Sequence, residues 1–199
     1  MKKTLSEMSL EELWRLFPIK LSSYNPEWKE WYAHEESLII KIIGKENIQR
    51  INHIGSTSVE GLISKPTIDI LIEIQKNTDT KKLTASMKNS GYIFDPQPKN
   101  PPPHMMFMKG YTENGFEEKV FHIHIRYSGD WNELYFRDYL KKHTETARQY
   151  ETLKIKLKEK FEHNRDAYTA AKTEFILKIT FLAKSEFAGR YTPRALQIK

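Results

Sequence analysis

The stretch Ile51–Ile74, INHIGSTSVEGLISKPTIDILIEI, limits what this chain can become more than any other. Apolar residues alternate up to Ile54, the small residues Gly55-Ser56-Thr57-Ser58 follow, and a second apolar run from Thr67 to Ile74 carries Asp69 near its start. Period-two alternation is a strand pattern, and glycine followed by hydroxyl residues is a turn pattern. The expectation is strand, small-residue turn, short helical turn, strand. Gly55 would let the backbone approach a ligand, and the amides and hydroxyls of Ser56, Thr57 and Ser58 would cradle an anion. Asp69 would hold a cation bridging to that anion.

The rest of the chain supplies partners for these strands. Ser9-Leu10-Glu11-Glu12 is a capping box, and Leu10, Leu13 and Trp14 give a short apolar stripe that Pro18 ends. Ile19–Leu21 reads as a short strand. Asn25-Pro26 reads as N-cap and first position of a helix whose broad apolar face runs from Trp28 to Ile43, closed by Gly44. Strands are expected over Asn47–Ile54, Pro66–Ile74 and Tyr92–Phe94, with a helix over Thr78–Ser90. The proline-rich Asp95–Pro103 is a loop within the domain. His104–Tyr111 and Glu118–Tyr127 read as a hairpin around Asn114-Gly115, with His122, His124 and Arg126 on one face. From Asn132 the pattern is helical, with breaks at His143-Thr144 and His163-Asn164 and a final helix over Ala167–Ala183. The tail from Gly189 is basic and is expected to pack loosely or to meet a partner.

Composition narrows the function classes. The 199 residues hold no cysteine, which excludes disulfides, thiolate metal sites and cysteine nucleophiles. A net charge of +6 suits anionic ligands, although most of the lysines are spread along helices, as a soluble surface requires. MKKTLSEMSLEELW begins like a signal peptide but lacks an apolar core, and the densest apolar run, Leu38–Ile43, is short and interrupted by Lys41. A cytoplasmic protein with no membrane span is expected.

HIGSTSVEGLISKPTIDI resembles the signature of the GrpB family, small proteins with a nucleotidyltransferase-like fold; a related domain is found fused to dephospho-CoA kinase. Tyr24-Asn25-Pro26 with Trp28, then Phe121-His122-Ile123-His124, then Phe136-Arg137-Asp138-Tyr139-Leu140 resemble further landmarks of that family in the same order. The resemblance spans Leu21 to Ile179. It implies an α+β fold: a small mixed sheet flanked by helices, with a helical C-terminal cap. Residues 1–20 would be a helical extension, 21–186 the nucleotidyltransferase-like domain and 187–199 a basic tail.

Enzymes of that broader fold follow the Gly-Ser turn with two carboxylates at i and i+2. These lie about 6.6 Å apart on one strand face and converge on metals held by a nucleotide's phosphates. Here the second position is Leu71, and Glu73 lies about 13 Å beyond Asp69 along the strand. His122 and His124 offer a replacement, since imidazole ligates zinc or manganese and a neighbouring strand lies about 4.8 Å away. Asp69, His122 and His124 are therefore the expected ligands of a divalent metal (Mg, Mn or Zn), with Asp69 catalytic. The plainer alternative is two polar residues on a solvated strand face.

Gly55, Ser56, Thr57, Ser58 and Lys65 are the expected phosphate contacts. Arg137 is a lesser one that also suits a local pair with Asp138. His53 reads as a satisfied core histidine. The ligand would be a nucleotide or other phosphorylated small molecule, and the activity nucleotidyl or phosphoryl transfer. The alternative is a noncatalytic module that kept the phosphate turn. A Ser58-His122-Asp69 hydrolase lacks its G-x-S-x-G elbow, and RNA binding lacks an aromatic-basic motif. No membrane or nucleic-acid partner is expected, and a homo-oligomer is compatible with the sequence.

Overall fold

The computed structural model describes residues 3–193. A five-stranded mixed sheet lies at its centre, formed by β1 (Ile48–Ile54), β2 (Ile68–Ile74), β3 (Ile93–Pro96), β4 (Met105–Thr112) and β5 (Gly115–Tyr127) in the order β1-β2-β5-β4-β3. β2 and β5 run parallel in the middle, and the other three pairings are antiparallel. Helices flank the sheet and a helical segment closes the C-terminal side, as the sequence implies.

The two faces of the central pair differ in chemistry. Ile68, Ile70, Ile72 and Ile74 of β2 join Phe121, Ile123 and Ile125 of β5 in the main core. Over them lie Trp28, Ile39 and Ile43 of α2 (Trp28–Ile43) and Leu83 and Met87 of α3 (Thr80–Asn89). The opposite face carries Asp69, Leu71 and Glu73 beside His122, His124 and Arg126, paired in register. This polar face belongs to strands buried in the sheet, so each group on it needs a partner.

Glu73 illustrates the requirement. It is fully buried and forms a bidentate pair with Arg50, whose Nη2 donates to Oε1 at 2.8 Å. The Gly129 N–H also donates to Oε1, at 2.9 Å. Glu73 is thus a tie between β1, β2 and the loop after β5.

Several boundaries differ from expectation. Ile19–Leu21 forms no strand; one bridge, Ser22 to Ser64, stands in its place. The second helix begins at Trp28, because the Asn25 side chain closes a turn onto the Glu27 N–H at 3.0 Å. Beyond α1 (Leu10–Leu16), capped by Ser9 as expected, the largest correction is at the C-terminal side. There α4 (Asn132–Lys142) and α5 (Thr144–Phe161) are followed by two helices, α6 (Arg165–Ala170) and α7 (Thr173–Glu186), where the sequence suggests one. The backbone tightens to an i→i−3 bond from Lys172 N to Thr169 O at 3.3 Å, and no glycine or proline marks the break. The tail also packs in its first part: Tyr191 accepts from Arg137 at 2.9 Å and donates to Asp138. Residues 194–199 lie outside the described residues.

Removing one member of a buried ion pair strands the other. Arg50→Met is expected to lower the unfolding free energy in urea by about 3 kcal/mol or more. Arg50→Met with Glu73→Met should recover much of that loss. A single variant as stable as the wild type would refute the tie.

Candidate functional site

The parallel register of β2 and β5 sets Asp69 beside His122, and His124 one pleat further on. Asp69 Oδ1 lies 3.2 Å from His122 Nδ1 and 3.8 Å from His124 Nε2. At its other nitrogen, His122 Nε2 lies 2.7 Å from the Tyr111 hydroxyl and 3.3 Å from Arg165 Nη2. Asp69 accepts and Arg165 donates, so the network assigns the proton of His122 to Nδ1 and leaves Nε2 as an acceptor. Burial lowers His122 to about 4, against the pull of Asp69, so the ring is neutral near pH 7. Burial alone would raise Asp69, but the hydrogen bond from His122 and the nearby His124 imidazole outweigh it and hold the carboxyl well below its usual range.

Tyr111 reaches this face because of a bulge. Strict alternation from Met106 and Met108 would turn Tyr111 away from His122, but the ladder slips between Lys109 and Tyr111. Gly110 sits there at φ +89°, and a Cβ on it would lie 2.3 Å from the Lys119 carbonyl oxygen. Gly55 has a related role. At φ +69° its missing Cβ would fall 2.3 Å from Asp69 Oδ2, so this glycine makes room for the carboxylate.

The hydroxyls of the turn divide by task. Thr57 is buried, donating to Thr67 O at 3.0 Å and meeting His53 Nε2 at 3.0 Å; Ser58 donates to Gly55 O at 2.6 Å. Both fix the turn itself. Ser56 interacts with the Tyr150 hydroxyl. His53, stacked on Tyr32, is the partnered histidine its position suggested. Arg137 is also committed to structure: it donates to Asp138 at 2.8 Å, Asn52 at 3.1 Å and the His53 carbonyl at 3.0 Å. It ties α4 to β1, and its donors point at protein acceptors.

Leu71, at the position of a second carboxylate, is fully buried and packs with Ile54 and Leu134 beneath α4. A carboxylate there would need a charged partner in an apolar pocket. The three expected metal ligands do meet, but as a hydrogen-bonded set in which both nitrogens of His122 are engaged. Among the described residues, no group of three or more His, Cys, Asp or Glu side chains has the geometry to hold a metal ion. Asp69 and His124 alone retain free donors, which does not fit a resident two-metal centre.

Of the basic groups near Asp69, Lys65 is legible in the sequence, whereas Arg165 and Lys172 are not. Lys65, Arg165 and Lys172 all act electrostatically on one another and on the Asp69–His122 pair. Burial, then Arg165, pushes Lys65 down to about 7, with Asp69 opposing; burial pushes Lys172 down to about 8. The Lys172 ammonium lies over the Tyr168 ring, 4.4 Å from its centroid. α5 positions Lys65 by gripping the neighbouring peptide: Glu151 accepts the Ile63 N–H at 2.8 Å and Lys154 donates to the Ile63 carbonyl. Arg165 and Lys172 open α6 and α7 respectively, so basic residues beside helix breaks were the available signal.

A model of the family described as GrpB protein matches residues 18–181. Glutamate-rich protein GrpB of Alkalihalophilus pseudofirmus is 32% identical over 162 residues, covering 80% of this chain and 92% of that protein. UPF0157 protein YqkA of Bacillus subtilis is 30% identical over 187 residues, 91% of this chain, and the match spans about half of YqkA (52%). Among solved structures, conserved protein GrpB from Enterococcus faecalis matches with a TM-score of 0.74 at 28% identity, covering 84% of this chain and 99% of that one. Cid1 poly(U) polymerase gives a TM-score of 0.48 at 12% identity, which carries no argument about chemistry.

A histidine with a depressed native pKa is protonated first in the unfolded chain, so it destabilises the native state as pH falls from about 6.5 towards 4. The His122 imidazole is expected to show Nδ1 protonation by NMR and to stay neutral to about pH 4. His122→Gln should flatten the acid limb of the stability profile. A midpoint near 6.5 for this ring would contradict the assignment.

Proposed function

This chain belongs to the GrpB family, and from that premise we propose that it binds the phosphate of a nucleotide or other phosphorylated small molecule in the cleft beside Asp69 and His122. The observation that carries this reading is the excess of cations. Arg165 Nη2 lies 3.3 Å from a neutral His122 ring beside the single carboxylate of Asp69, Lys65 and Lys172 act electrostatically on the same carboxylate, and a tetrahedral dianion would offset those charges. Ser56 adds a hydroxyl at the same edge. The expected site is the cytoplasm, which the absence of cysteine and of any long apolar helix among the described residues suits.

Binding is better supported than transfer. With Leu71 in the core and Glu73 held by Arg50, the cleft offers one carboxylate where two-metal nucleotidyl transfer uses more. A divalent cation would have Asp69 and His124 as its foothold and would depend on the ligand's own phosphates for the rest. The noncatalytic module is therefore the reading adopted here, with Asp69 orienting His122.

Calorimetry with sulfate, whose charge is constant across the range, tests it. Affinity is expected to rise as pH falls from about 9 to 6.5, because Lys172 and then Lys65 become charged. Lys65→Met should weaken binding about tenfold or more, the loss of one charge-assisted contact. The same change should stabilise the empty protein at pH 7 by on the order of 1 kcal/mol. The sign follows from the lowered native pKa: between about 7 and 10.5 the unfolded chain binds more protons, so stability falls as pH falls through that window. Nucleoside triphosphates should bind without pyrophosphate release, with magnesium, manganese or zinc alike. Unchanged sulfate affinity in Lys65→Met would overturn the site, and turnover abolished by Asp69→Asn would restore the transferase reading.

A further inference from the structure

A cavity of about 840 Å³ opens between α1, the β3–β4 edge of the sheet and α6. It meets the Asp69–His122 pair through two residues. Tyr111 and Arg165 line the cavity, and both also contact His122. The volume is within the range of small-molecule sites, about 300–1,000 Å³, and far exceeds what a phosphate needs.

The lining says what would fill it. Met106 and Met108 project from β4 as a floor, beside Met-adjacent Ile93 of β3. Leu10, Leu13 and Trp14 of α1 form the opposite wall. Two of these are left facing solvent, Leu10 at 58% and Ile93 at 37% exposure, on opposite lips. Large exposed apolar side chains around a concavity mark a binding surface. Methionine floors adapt to flexible apolar shapes. Of the polar lining residues, Asp95 and Gln97 are hydrogen-bonded to each other at 3.2 Å, and Ser6, Asp166 and Thr169 are set among the apolar side chains. A nucleobase would require donors and acceptors turned towards its edges, whereas this wall offers mainly carbon and sulfur.

Resting on the phosphate reading above, we infer that the ligand is an acidic amphiphile. Its phosphate head sits against Arg165, the cation that lines the cavity and reaches His122 at 3.3 Å, and an extended hydrocarbon body lies along the methionine floor under α1. Arg165 fixes the orientation, because its guanidinium is at the mouth shared by cleft and cavity, 5.8 Å from the centroid of the Tyr111 ring. The polar end therefore faces the sheet centre and the tail runs towards the β3 edge. No covalent step is involved.

The test compares inorganic phosphate, octyl phosphate below its micelle-forming range, octanol and adenosine monophosphate on the full chain. Binding is followed by calorimetry and by the tryptophan fluorescence of the unaltered chain, in which Trp14 lines the cavity. Each buried methylene is worth roughly fourfold in affinity, so octyl phosphate should bind at least about tenfold more tightly than inorganic phosphate even with partial burial. Octanol should bind more weakly than octyl phosphate. Leu10→Asp and Ile93→Asp, on exposed lips where folding is tolerant, should each erase most of the octyl advantage and leave inorganic phosphate unchanged.

Equal affinity for inorganic and octyl phosphate would overturn the cavity assignment and leave the anion site standing. Adenosine monophosphate binding more tightly than octyl phosphate, with sensitivity to both lip variants, would overturn it in favour of a base pocket. Failure of every phosphate to bind would overturn the anion reading itself.

Discussion

The hydrogen bond from His122 to Asp69 exists only because β2 and β5 run parallel in register, and most of the site depends on that pairing. Side chains directly across two neighbouring strands share a face, so one residue of slip would send His122 into the isoleucine core and Ile123 into the cleft. The register is held from both sides. Four isoleucines of β2 must face α2 and α3, and Glu73 must face Arg50. Together they leave Asp69 no alternative orientation. Gly55 then clears the space above it, and the Gly110 bulge brings Tyr111 to the far nitrogen of the ring.

What results is a cleft poorly matched to itself. Arg165 reaches a neutral imidazole beside a single carboxylate, and Lys65 and Lys172, their basicity lowered by burial, act electrostatically on that carboxylate. A protein could relieve this by adding a second acid at position 71, yet Leu71 is packed with Ile54 and Leu134. Leu71, packed against Leu134, also secures α4, and with it the docking of Tyr191 and the Arg137 ties to β1. On the proposed reading, an external anion would satisfy the charges without disturbing that packing. The apolar cavity beyond Arg165 extends the logic from head group to tail.

Much of the fold was legible because its signals were local. Ser9 and Glu12 announced the first helix, Asn114-Gly115 the hairpin, and the alternation of Phe121–Arg126 the face on which His122 and His124 lie. The meeting of Asp69 with both histidines followed once the hairpin was placed beside β2. What the sequence concealed was contextual. Thr57 and Ser58 look like ligand hydroxyls until their carbonyl acceptors are seen, and Arg137 looks like a phosphate contact until Asn52 and Tyr191 claim it. Arg165 and Lys172 lie about 100 positions from the turn, beside helix breaks without proline or glycine, whereas Lys65 follows it closely in the sequence. Tyr111 was hidden by a bulge, since alternation alone assigns it to the wrong face.

The central claim is that the charges around Asp69 and His122 form one anion site. Soaking crystals of the full chain in selenate and mapping the anomalous scattering locates such an anion directly. The expected result is a single strong peak within hydrogen-bonding distance of Lys65, Arg165 and Lys172, with Tyr111 still bonded to His122. Peaks confined to surface lysines, or an occupied cleft in which Arg165 has swung out to solvent, would contradict it.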